Sequence, residues 1–102
     1  MTAGEIKKRL VTVTTDTMKV MAAAQTLYKR IKNNHYLEPE LRDIVPRGNS
    51  LCREIRTQCC YLGNLGDGTE VGDPYVLRWP DLAREKLDIL RATVERVRAL
   101  LP

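Results

Sequence analysis

Apolar residues in the first third of the chain fall at Ile6, Leu10, Val13, Thr17, Val20, Ala24, Leu27 and Ile31, in alternating steps of four and three. That is a heptad pattern held for more than three heptads, and it predicts one long helix from Ala3 to about Asn33. A second row, Val11, Thr14, Met18, Met21 and Tyr28, broadens the stripe, as expected of a helix with two neighbours. Thr2 and Glu5 have the spacing of a capping box at its start. The β-branched run Leu10–Thr15 has an alternative reading as a strand, with Asp16 capping a shorter helix. The unbroken heptad phase favours the continuous helix.

The same period returns at the other end. Ala83, Leu87, Leu90, Val94, Val97 and Leu101 step by four and three, with Leu82, Ile89 and Leu100 widening the stripe. This predicts a helix from Trp79-Pro80-Asp81 to about Leu101. Between the two, Glu38-Pro39 opens a short helix to Val45, and Pro46-Arg47-Gly48-Asn49 is expected to break it. Asn49 or Ser50 then caps a helix over about Leu51–Leu62, stopped by Gly63. Residues 63–78 read as an irregular segment rich in Gly and acid, with a tight turn at Asp67-Gly68.

These elements predict an all-α, three- or four-helix bundle. Residues 1–102 form one domain, and the N- and C-terminal helices pack antiparallel. Composition agrees: with four Tyr, one Trp and no Phe, the core must be aliphatic. No apolar run approaches the ~18–20 residues that span a bilayer, and no signal peptide is evident. Three cysteines do not make a disulfide framework, so the expected setting is intracellular, cytoplasmic or nuclear.

Chemistry finds little support. One His and three Cys, without a C-x-x-C pair, give no metal site, and Cys52 and Cys59 read as core residues. Cys60 points to another face of its helix. The Gly63–Gly68 stretch lacks the lysine of a phosphate loop and the ligand spacing of a calcium hand. Arg30-Ile31-Lys32-Asn33-Asn34-His35 resembles, over six residues, the R-x4-H spacing of HEPN-type ribonucleases. That resemblance implies a His general acid or base and an Arg stabilising phosphate charge. The plainer reading is a basic helix end with a solvated His, and no enzyme, cofactor or small-molecule substrate is expected.

The net charge is +4, divided as +5 over residues 1–66 and −1 over residues 67–102. Lys7, Lys8, Arg9, Lys29, Arg30, Lys32, Arg47, Arg53 and Arg56 are the candidate nucleic-acid contacts. The favoured reading is instead an interaction or assembly module. Two long helices with wide stripes offer more apolar area than the shorter elements plainly cover. The candidate interface is therefore Ile6, Leu10, Val13, Val20, Leu27, Ile31, Leu87, Leu90, Val94 and Val97. The partner is a second copy first, another helical protein next, and nucleic acid as the alternative class.

Overall fold

The computed structural model describes residues 1–31 and 36–101. Five helices occur among them: α1 (Ala3–Ile31), α2 (Glu38–Arg42), α3 (Ile44–Leu65), α4 (Pro74–Leu77) and α5 (Trp79–Leu100). The architecture is an all-α bundle in which the two long terminal helices pack on each other and on α3.

Helix α1 is continuous through the β-branched stretch. The hydroxyls of Thr12 and Thr15 each donate to the carbonyl four residues back, at 3.1 Å, so they follow the helix. Thr17 does the same inside the core, donating to the Val13 carbonyl at 2.7 Å, which satisfies the one buried polar residue among the described residues. At the start, the Thr2 hydroxyl accepts the Glu5 amide at 3.2 Å, as the capping spacing predicts.

Three expectations are corrected. First, Pro46-Arg47-Gly48-Asn49 does not break the chain: α3 starts at Ile44, and Pro46 is its third residue. A first-turn residue has no intrahelical acceptor for its N–H, so proline removes nothing there. Gly48 is buried because α1 passes close by, and a Cβ on it would strike the Met21 side chain. Second, Gly63 does not stop α3, which continues to Leu65. The chain turns out at Gly66, whose φ of 90° suits glycine. Third, with α3 spanning the bundle, the chain runs up, down and up, and α5 lies parallel to α1, not antiparallel. Asp16 meets Arg84, while Val20 and Ala23 lie beside Val94 and Arg98. Helix α3 opposes α5, with Tyr61 at Trp79 and Glu54 at Lys86.

The Gly-rich segment has a structural task. The Ala3 and Gly4 amides donate to the Thr69 and Asp67 carbonyls at 2.8 and 3.0 Å, and the Val71 amide donates to the Met1 carbonyl at 2.9 Å. The loop thus satisfies N–H groups that the first turn of any helix leaves open. Asp67 adds a carboxylate near the positive end of α1 and an ion pair to Lys7 at 2.8 Å. This hydrogen bond raises the Lys7 pKa. Within the segment, Asp73 caps the short α4 by accepting the Tyr75 amide at 2.9 Å.

Candidate interaction surface

The ten residues of the expected interface lie in the chain's own core. Ile6, Leu10, Val13, Val20, Leu27 and Ile31 of α1 and Leu87, Leu90, Val94 and Val97 of α5 are all buried, packed with Leu51, Ile55 and Leu62 of α3. The reason is the length of α3. A helix of 22 residues, not the expected dozen, covers both stripes. Replacing Leu27 or Leu90 by Glu therefore disrupts folding and cannot report on association.

What remains exposed is the outer edge of those stripes, above all where α3 faces α5. Ile89 is 61% exposed at an open groove of about 380 Å³, lined by Pro46, Arg47, Leu51, Glu54 and Lys86. Nearer the start of α5, an aromatic cluster joins α3 to α5. The Trp79 ring takes Tyr61 edge-on at 5.6 Å and 71°, and Tyr75 at 6.1 Å and 82°. Tyr75 is 68% exposed, Tyr61 and Leu65 are exposed, and Trp79 is half-buried. Three of the chain's five aromatic side chains thus gather at one end of this side. Its charges are partly neutralised from within, Lys86 by Glu54 at 2.8 Å and Arg96 by Glu40 at 3.0 Å.

Among the described residues the basic candidates do not form one cluster. Lys7 is bound to Asp67, and Arg9 lies beside Pro80 and Arg84 on the α1/α5 side. Arg47 lines the α3/α5 groove. Lys8 is near the start of α1 and Lys29 and Arg30 are at its end, more than 20 residues away, about 30 Å along a helix. Arg53 and Arg56 are exposed on α3. Lys32 and His35 lie outside the described residues, and the R-x4-H reading falls there with them.

No family model, curated protein or solved structure matches this chain. The surface is therefore read on its own chemistry. Cys52 and Cys59 are half-buried, less enclosed than their sequence positions suggest, and Cys60 is exposed. Burial pushes both half-buried thiols above the ordinary range, which keeps them protonated and poor nucleophiles. Among the described residues no group of three His, Cys, Asp or Glu side chains is placed to hold a metal ion, and no helix is long and apolar enough to cross a membrane. Sequence reasoning had Ile89 and Leu100 in hand as stripe-wideners. It missed Tyr61, Tyr75 and Trp79, whose convergence depends on the unforeseen length of α3 and the up-down-up path.

Proposed function

We propose that this chain is a non-enzymatic assembly module that self-associates through its α3/α5 side. The observation that carries this reading is the set of exposed apolar side chains on that side, Ile89 at the groove and Tyr61 and Tyr75 around the half-buried Trp79. Tyr and Trp are the residue types that anchor protein interfaces, because they bury a large rigid area at low entropic cost. The bundle is 51 Å long and 17 Å wide. One such side is of the size of a standard interface, roughly 800 Å² per partner.

A second copy is the occupant because an isologous contact sets a surface against itself. Unneutralised charge of one sign would oppose that contact. The Glu54–Lys86 and Glu40–Arg96 pairs bring both signs to this side. Two copies placed face to face extend each three-helix core with a helix of the other.

Light scattering on a size-exclusion column, under reducing conditions at low and high salt, tests the reading. The expected result is a species of twice 11.6 kDa that survives high salt. Ile89→Glu gives a monomer with unchanged helical circular dichroism. A wild-type monomer at the highest soluble concentration refutes the proposal.

A further inference from the structure

The side formed by α1 and α3 differs in chemistry from the α3/α5 side. Its register is fixed at two points: Met21 packs on Gly48, and Lys7 reaches Asp67 just past the end of α3. Between them, Val11 and Met18 of α1 lie on one line two turns apart. They are 54% and 59% exposed, although α1 has a full core face elsewhere. By the register those two points set, Arg56 of α3 falls level with the stretch between them; it is exposed, as are Arg53 on α3 and Lys8 and Lys29 near the two ends of α1.

The acids of these two helices are mostly turned away or occupied. Asp16 is held by Arg84 and Glu54 by Lys86, both on α5. Glu5 lies in the first turn, beside Lys8 and Arg9. Asp67, at the end of the strip, is bound to Lys7. Among the described residues, then, Val11 and Met18 stand exposed beside the side of α3 that carries Arg56, while Asp16 and Glu54 are paired with α5 and Asp67 with Lys7.

We infer that this side docks an acidic amphipathic helix of another protein. The seven-residue spacing of Val11 and Met18 repeats every two helical turns, about 10.5 Å, which is the repeat at which a second helix presents its own apolar residues. The thioether of Met18 adapts its shape to what it meets. Arg53 and Arg56 supply partners for Asp or Glu flanking the apolar seam of that helix. A second copy does not fit, because it would set base against base. Nucleic acid would use the bases but leave Val11 and Met18 in water. The inference refines the interaction-module reading by adding a hetero-partner on a different side.

The test uses the full chain and a fluorescein-labelled synthetic peptide of about three heptads, with Leu at the seam and Glu on the flanks. Its comparators are a scrambled peptide of the same composition, a DNA duplex and phosphatidylserine vesicles. The expected result is salt-sensitive binding of the amphipathic acidic peptide in preference to all three. Met18→Gln weakens it about tenfold by removing apolar contact without adding charge, and Arg56→Glu weakens it at least as much. Ile89→Glu leaves it unchanged. Because self-association is read without peptide, a failure there is separable from a failure here. Equal binding of the scrambled peptide, preference for DNA or vesicles, or indifference to Met18→Gln overturns the inference.

Discussion

Leu87 and Ile89 stand two positions apart on α5, yet the first is fully buried and the second is 61% exposed. Truncating each to Ala measures how that helix is rotated against α1 and α3. Leu87→Ala removes three carbons from a site enclosed on all sides and leaves a cavity, at a cost of about 3 kcal/mol. That is a large part of the ~5–15 kcal/mol that stabilises a domain of this size. With an unfolding entropy of about 0.2 kcal/mol per kelvin for a chain near 100 residues, the melting temperature falls by about 14 °C. Ile89→Ala loses little existing contact within the chain and gains about 0.4 kcal/mol of helix propensity, so its net effect stays within about 0.5 kcal/mol. Thermal melts followed by circular dichroism, extrapolated to low protein concentration, separate this intrinsic effect from any loss of self-association. Equal destabilisation by the two variants, or a larger loss from Ile89, would refute this setting of the helix and the surface built on it.

Three further outcomes follow from the described contacts. Gly66→Ala forces a side chain onto a backbone at φ 90°, costs about 1–3 kcal/mol, and lowers the hydrogen-exchange protection of the Ala3 and Gly4 amides. The hydrogen bond from Arg84 holds the Asp16 carboxyl below its ordinary pKa. Its contribution to stability is thus complete above the ordinary carboxylate range and is lost as pH falls through the depressed folded value. Between about pH 7 and about pH 3 the wild type loses more of its urea midpoint than Asp16→Asn, and equal losses would count against the pair. An aromatic disulfide reagent titrates Cys60 first and Cys52 and Cys59 more slowly, since only Cys60 is exposed. Three thiols reacting at one rate would contradict the packing of α3.

The heptad phases of α1 and α5 were legible in the sequence because each apolar position repeats a single geometric demand, and nearly every residue of both rows is buried. The middle of the chain was not. Pro46 and Gly48 have two meanings each, and sequence alone does not say whether a proline stands in a first turn or a glycine admits a neighbouring helix. Misjudging that one junction shortened α3. The shortening in turn reversed the direction expected of α5 and left the core stripes looking uncovered. The general inference of an apolar surface for a partner therefore rested on the wrong residues, and the exposed candidates were Ile89 and the Trp79 cluster. The partners of the Ala3 and Gly4 amides were invisible for another reason, since a backbone carbonyl has no side-chain signature.

Those amides also say something about the order in which the molecule assembles. Thr2 closes part of the first turn of α1 locally, but the carbonyls that accept the Ala3 and Gly4 amides lie more than sixty positions later, so they arrive only when α3 has formed and delivered Gly66–Val71 to the opposite end. Closing so long a segment costs entropy that local contacts cannot repay in advance. The Ala3 and Gly4 amides are accordingly expected to gain their partners late in folding and to exchange before the interior of α1.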